Sequence, residues 1–389
     1  MGGRERRVYL DHNAGAPLRA QARQALRALL TGSVANPSSV HAEGREARAI
    51  VEKARGQVAA LLGASASEVV FTSGGSEAIA AAILGVCARA PATRRRLVVS
   101  AVEHSAVLES ARRAGEMGFE TELVACEASG RIAGDAFASR LGEDTALAAL
   151  QWVNPETGVV QPVAEVGRAC AAARVPFLVD AVQAAGKLPL EICVAGASLL
   201  AVSSHKIGGP QGAGALVVRT GMPMAPLIPG GAQERRRRGG TEGVLALAGF
   251  GAAAEAAAAA VVAESRRLAR LGGEIERFLR ERYPGVVVHG EGVERVPGTL
   301  SFALPGIPGE MLVIALDLAG FALSTGSACA SGAIEPSHVL RAMGRSEAEA
   351  RGAVRVSLGW SSTRAQTRAF LEALPGVVER LRAQIGGRS

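Results

Sequence analysis

Apolar residues recur three and four positions apart over residues 21–30 and 43–62, the spacing that gives a helix one buried face, and Gly63 supplies the stop for the second. Beyond that point short runs of unbroken apolar residues alternate with helical stretches, at 68–72, 97–100, 146–151, 175–179, 199–202 and 215–218. A strand with one wet face alternates apolar and polar positions, and these do not, so both faces are covered. Strands of this kind alternating with helices predict an α/β fold with a mainly parallel sheet between helical layers. The stretch 244–263 tempts a membrane reading, but it is mostly Ala and Gly and carries Glu255, so it reads as a buried helix of a soluble protein. After it the rhythm changes. Strands at 286–289, 298–302 and 354–357 stand beside helices at 310–318 and 364–373, which predicts a second, smaller α/β domain beginning near residue 262.

With 389 residues, 48% of them hydrophobic, the chain buries a large core and is neither disordered nor fibrous. Aromatic residues make up only 3%, so the core is built from Ala, Val, Leu and Ile, and there is no ladder of rings for stacking single-stranded bases. The net charge of +7 comes almost wholly from arginine, because Lys53, Lys187 and Lys206 are the three lysines. The run Arg94–Arg96 reads as a solvated face, while Arg235–Arg238 stays open between that and an anionic contact. Five widely spaced cysteines with no CxxC pair argue against a disulfide framework and against a zinc site, and point to a reducing compartment. The basic N-terminus runs into Val8 without the apolar segment of a secretory signal. A cytoplasmic location is the expectation.

Candidate chemistry collects at the ends of the expected strands. Phe71-Thr-Ser-Gly-Gly-Ser-Glu77 is a strand, a glycine turn and a helix start, where free N–H groups and the Ser76 hydroxyl suit a phosphate, although a plain strand–helix turn looks the same. Asp180 ends a buried strand, at the edge where open α/β sheets bind ligands; a capping role fits it equally well on its own. Lys206 follows another strand end among Ser, His and Gly, where a deprotonated amine can hold an aldehyde as a Schiff base. Lys53 and Lys187 read instead as surface lysines with their stems laid on the protein. A lysine, a carboxylate and a phosphate cradle together are the set that pyridoxal phosphate (PLP) requires. His104 stands at the same edge, and an imidazole there can stack on a ring and move protons. Cys329, in Leu323-Ser-Thr-Gly-Ser-Ala-Cys-Ala-Ser-Gly332, sits among small residues between glycines, the setting of an exposed nucleophilic thiol on a loop. Cys87, Cys126, Cys170 and Cys193 fall in helical or strand patterns and read as buried small hydrophobes.

Taken in order, Tyr9-Leu-Asp-His-Asn13, Asn36-Pro-Ser-Ser with His41, Phe71 to Glu77, Glu103-His104, Asp180-Ala-Val-Gln183, Ser204-His-Lys206, Gly230-Gly-Ala-Gln-Glu234, Arg238-Gly-Gly-Thr241 and Gly326-Ser-Ala-Cys329 closely resemble the NifS/IscS-type cysteine desulfurases, PLP enzymes of the class-V aminotransferase superfamily. The resemblance spans nearly the whole chain. It implies the fold type I of PLP-dependent transferases: a large domain, residues 16–261, on a mainly parallel seven-stranded sheet, and a small domain of residues 1–15 and 262–389 carrying the cysteine loop at about 323–333.

The same resemblance implies residue roles. Lys206 holds PLP, Asp180 pairs with the ring nitrogen, His104 stacks on the ring and Gln183 bonds the phenolic oxygen. Gly75, Ser76, Ser203 and His205 bind the phosphate, with Thr241 reaching across from a second subunit of a homodimer. Arg355 clamps the substrate carboxylate in two-pronged fashion, assisted by Asn13. Cys329 takes the sulfur of L-cysteine as a persulfide, leaving L-alanine, and passes it to an acceptor for iron–sulfur cluster assembly or tRNA thiolation; where the acceptor is an iron–sulfur scaffold protein, this thiol can share the cluster, the one metal contact expected. Neither a membrane nor direct nucleic-acid binding is expected. Two departures stand out. Asn154-Pro155-Glu156 replaces the usual Asn-Asn-Glu, so that Pro155 falls at the ring contact and Asn154 is left to take its place, and Gly15-Ala16 replaces Thr-Thr. The alternatives are another class-V activity, a selenocysteine lyase or an aminotransferase, and a non-catalytic basic scaffold.

Overall fold

The computed structural model describes residues 7–32, 34–190, 192–325 and 336–386. Seven strands form its main sheet, in the order Val69–Thr72, Gly214–Val218, Leu199–Ser203, Phe177–Asp180, Thr145–Gln151, Arg96–Ser100 and Glu120–Val124. Gly214–Val218 runs antiparallel to both its neighbours, and every other pairing is parallel. Six of the seven are the apolar runs of the sequence. The seventh, Glu120–Val124, lies at the sheet edge with mostly exposed side chains, so it lacks the double-sided burial that made the others legible.

Both faces of the sheet are covered, which is why its strands read as unbroken apolar runs. Along Leu199–Ser203, Leu200 and Val202 enter one core with Ala54, Phe177 and Phe250, while Leu199 and Ala201 enter the other with Ile79, Ala82 and Val107. The predicted strand at 175–179 begins two residues later, after Pro176, and ends on Asp180.

A second sheet pairs Thr299–Ala303 antiparallel with Val287–Val288 on one side and Ala353–Ser357 on the other, with Ser324–Thr325 beyond. Val8–Tyr9 returns from the N-terminus to pair with Phe321–Ala322. Leu10, Ile275, Phe302, Leu316 and Phe370 form the core of this unit under the helices Gly309–Leu318 and Arg364–Gly386. No break occurs near residue 262: Val244–Arg282 is one helix of 39 residues. Its Ala257 packs in the main core and its Leu268 in the second, so one continuous rod serves both. Val339, Leu340 and Met343, although late in the chain, also pack in the main core. The long helix is apolar and long enough to cross a membrane, but Gly249, Phe250, Ala253 and Ala254 are buried, and a Cβ on Gly251 would lie 2.6 Å from the Ala54 Cα. Alanine and glycine are what so close a helix crossing needs.

Candidate active site

The carboxyl ends of the parallel strands, the loops behind them and the second sheet enclose a cavity of about 310 Å³. Asp180 is the last residue of its strand, Ser203 of the next, and Lys206 closes the short turn Ser204–Lys206. Gly75 and Ser76 open the helix Gly75–Cys87, and His104 caps Ser105–Gly115. Gln183, His205, Asn13 and Arg355 complete the wall. Ten of the residues singled out in the sequence therefore face one space. Cys329 lies outside the described residues, as does the side chain of Cys193.

Lys206 Nζ donates to the carbonyl oxygens of Asn13 at 2.6 Å and Ala14 at 3.0 Å. Burial pushes this amine down to about 8, helped by the positive charge of Arg355 and opposed by Asp11 and Asp180. Asp180 is buried; its Oδ1 accepts one backbone N–H, from Val182 at 2.9 Å, and it has no ion-pair partner among the described residues. Burial raises its pKa while His104 and Lys206 work the other way. A carboxyl group in this position is short of a cation. His205 Nδ1 lies 2.9 Å from Ser203 Oγ, and burial with the Lys206 charge pushes its pKa down to about 4, so it is neutral at pH 7.

At the helix start, a Cβ on Gly75 would fall 2.8 Å from Val182 Cγ2, so only glycine lets the backbone come this close to the strand loop. Glu77, one turn in, accepts from Ser73 N and from Arg238 Nε at 2.8 and 2.9 Å. The arginine run is thus partly absorbed: Arg238 ties its segment to the helix start. Thr241, three residues on, is exposed and outside the cavity of its own chain.

Arg355, in the second sheet, donates to Asp11 Oδ1 at 2.8 Å and to the Pro155 carbonyl at 3.1 Å. Asn13 Nδ2 donates to the same carbonyl at 3.0 Å. Pro155 lines the cavity and Asn154 does not. Asn154 is spent on its own turn: Oδ1 accepts from Glu156 N and Thr157 N, and Nδ2 donates to Val102 O. The expectation that it replaces the missing amide at the ring is corrected here.

Lys187 also departs from its reading as a surface lysine. It is half-buried, and Nζ donates to Asn13 Oδ1 and Gln183 Oε1. Burial and the charges of Lys206 and Arg355 hold its pKa well below the ordinary lysine range. Sequence reasoning discounted it because a lysine beside a glycine turn carries no local mark of burial. Glu103 and Glu156, two fully buried acids in the cavity wall, were likewise given no role; burial pushes them up to about 8 and about 7. His338 also lines the cavity, and its one sequence signal is that it follows the cysteine loop. Cys87 and Cys170 are buried as read, with thiols pushed up to about 11 and about 12, whereas Cys126 is half-buried in a loop and not in a regular element.

Residues 8–370 match the family Aminotransferase class-V. A cysteine desulfurase named IscS from Dictyoglomus turgidum is 37% identical over 378 residues, covering 97% of this chain and 96% of its own. Among solved structures, a NifS-like protein superposes with a TM-score of 0.90 at 31% identity, covering 96% of this chain and 100% of that one. SspA in complex with cysteine superposes with a TM-score of 0.81 at 32% identity over 90% of this chain and 99% of that one.

Proposed function

The chain belongs to the class-V aminotransferase family and, within it, to the cysteine desulfurases; on that premise we propose that it converts L-cysteine to L-alanine and carries the sulfur away as a persulfide on Cys329. The observation that carries this reading is the meeting of the Lys206 amine and the cation-short Asp180 carboxyl in one cavity. That donor set fits PLP: an amine for its aldehyde, a carboxylate for its ring nitrogen, and a helix start with Gly75, Ser76, Ser203 and His205 for its phosphate. Bound there, PLP supplies a sink for the electrons left when the Cα–H bond breaks.

The chain's own residues do the rest. Arg355 and Asn13 orient the substrate carboxylate, the first through a planar fork that matches it. Lys206, which would hold the cofactor's aldehyde, would receive the Cα proton at Nζ, as its lowered pKa allows near neutrality. His104 presents Nε2–H to the cavity, because its Nδ1 accepts from Ala106 N. The Cys329 thiolate attacks the substrate sulfur, so an S–S bond forms as the C–S bond breaks and the carbon is reprotonated to alanine.

A sulfur acceptor such as an iron–sulfur scaffold protein, a cytoplasmic setting and a homodimer complete the proposal. The exposed position of Thr241 supports its service to the site of a second copy. The test is L-cysteine-dependent alanine and sulfide formation with a reductant present, in the wild type and in Cys329→Ala. Both products appear together and are lost in the variant if the reading holds. Alanine that persists without Cys329 overturns the thiol's role, and equal yields of keto acid and amino product would mark an aminotransferase.

A further inference from the structure

His104 and His338 line one cavity but offer it opposite kinds of nitrogen. The Nδ1 of His104 accepts the Ala106 N–H at 3.0 Å, which caps the helix Ser105–Gly115 and fixes the proton on Nε2. To gain a second proton this ring must give up its cap. The Nε2 of His338 lies 2.9 Å from the carbonyl oxygen of Glu103, which can only accept, so Nε2 holds the proton and Nδ1 keeps its lone pair. No hydrogen bond engages that Nδ1 among the described residues, and the residue is exposed on one side.

The ring is also firmly placed. His338 opens the helix His338–Ala342, whose N-cap Ser337 accepts from Leu340 N at 3.2 Å and donates to the buried Glu156 at 2.5 Å, while Val339 and Leu340 are sunk in the main core. Glu156 follows Pro155, whose carbonyl receives both Asn13 and Arg355. His338 is therefore anchored in the wall of the same cavity that Arg355 and Asn13, the residues assigned to the substrate carboxylate, also line, and the α-ammonium of a bound amino acid lies in that cavity. The amine has to be neutral before it can displace Lys206, and amino acids arrive protonated.

We propose that His338 Nδ1 is the base that deprotonates the α-ammonium of the incoming amino acid. One N–H bond of the ammonium breaks, an Nδ1–H bond forms, the electron pair stays on the substrate nitrogen, and the imidazolium returns its proton to solvent across its exposed edge. This rests on the reading of the site as an amino-acid-processing PLP site.

The test follows the cofactor's absorbance after rapid mixing of the PLP-loaded enzyme at pH 7 with L-cysteine or with aminooxyacetate, a carboxylate whose amine is already neutral. His338→Gln keeps a side-chain N–H for the Glu103 carbonyl and lacks the ring base. The L-cysteine phase is expected to slow on the order of 100-fold, within the range for a lost general base, while the aminooxyacetate phase changes less than about twofold. Equal slowing of both phases, no slowing of either, or a variant that no longer loads PLP overturns the assignment, since each leaves His338 positional or idle. A wild type that responds to aminooxyacetate but not to L-cysteine would instead refute the amino-acid substrate and leave the PLP site intact.

Discussion

Lys187 Nζ lies 2.6 Å from Asn13 Oδ1, so a lysine from the turn that follows the strand Phe177–Asp180 fixes the amide of a residue from the N-terminal segment. The same ammonium holds Gln183 Oε1 at 2.5 Å. With both oxygens turned to the lysine, the amide nitrogens point elsewhere: Asn13 Nδ2 to Pro155 O and Thr299 Oγ1, Gln183 Nε2 to Asn13 O. One cation thus sets the orientation of two groups assigned to substrate and cofactor.

Lys187→Met frees both amides to flip. The KM for L-cysteine is expected to rise about tenfold, the scale of one charge-assisted hydrogen bond, with kcat changed far less. The melting temperature is not expected to fall, because burial already disfavours this ammonium. Steady-state kinetics beside a thermal melt check both halves.

The uptake of PLP by the cofactor-free chain reports the Lys206 amine. Only the unprotonated amine attacks an aldehyde, so the uptake rate should climb with pH and level off above about 8 rather than above 10. Asp11→Asn removes a negative charge that raises this pKa, and the midpoint should then move to lower pH. A midpoint that stays near 10 would contradict the burial argument.

Pro155 and Asn154 separate a cofactor contact from a structural one. Pro155→Asn keeps the carbonyl that Arg355 and Asn13 use and adds a side-chain amide in the cavity wall. PLP should dissociate three- to tenfold more slowly, the worth of one hydrogen bond. Asn154→Ala should leave the dissociation rate near the wild type and lower the melting temperature, because it breaks the bonds to Glu156 N, Thr157 N and Val102 O.

What the sequence showed and what it hid divide along a physical line. Apolar runs such as 199–202 were legible because burial on both faces erases the polar alternation, whereas Glu120–Val124, an edge strand, carries no such mark. Lys206, Asp180 and Gly75 stood out because strand ends and glycine turns are local features. Lys187, Glu103, Glu156 and His338 did not, since each owes its setting to a partner 48 or more residues away, such as Gln151 for Glu103, Ser337 for Glu156 and the Glu103 carbonyl for His338, or, for Lys187, Asn13. The division expected near residue 262 has no break in the helix to mark it, because periodicity runs on unbroken from Val244 to Arg282 while Ala257 packs in one core and Leu268 in the other.

Glu156 should make the protein's stability fall with rising pH. Burial pushes its pKa from the usual 4.5 up to about 7, against the hydrogen bond from Ser337 and the charge of Arg355, which both lower it. A raised pKa means the folded state binds the proton more tightly than the unfolded chain, so the contribution is full below about 4.5 and is lost as pH rises through about 7. Glu156→Gln keeps an acceptor for Ser337 and cannot ionise. Relative to wild type it should gain on the order of 2 kcal/mol between pH 5 and pH 8.5, measured by denaturant unfolding at the two values. A constant difference between them would show that Glu156 does not titrate in this window.

Arg55 and Glu234 form a buried, two-pronged pair at 2.6 and 2.8 Å, and Glu234 also accepts from Phe71 N at 2.8 Å. This pair holds a costly piece of backbone: Glu234, Arg235 and Arg236 all have positive φ, at 45°, 55° and 65°, a conformation that side chains disfavour by about 1–2 kcal/mol each. Arg238, just beyond, reaches back to Glu77 at the helix start of the cavity. Without the pair the strained run has no reason to keep its shape, and Glu234 is left as an uncompensated buried charge. Arg55→Met should therefore cost about 3–5 kcal/mol of folding stability. Arg235→Gly, which removes strain and leaves the pair, should gain about 1 kcal/mol. Opposite signs for the two variants in a urea titration are required if the pair offsets strain; a stabilising Arg55→Met would mean that the charge pair itself was the burden.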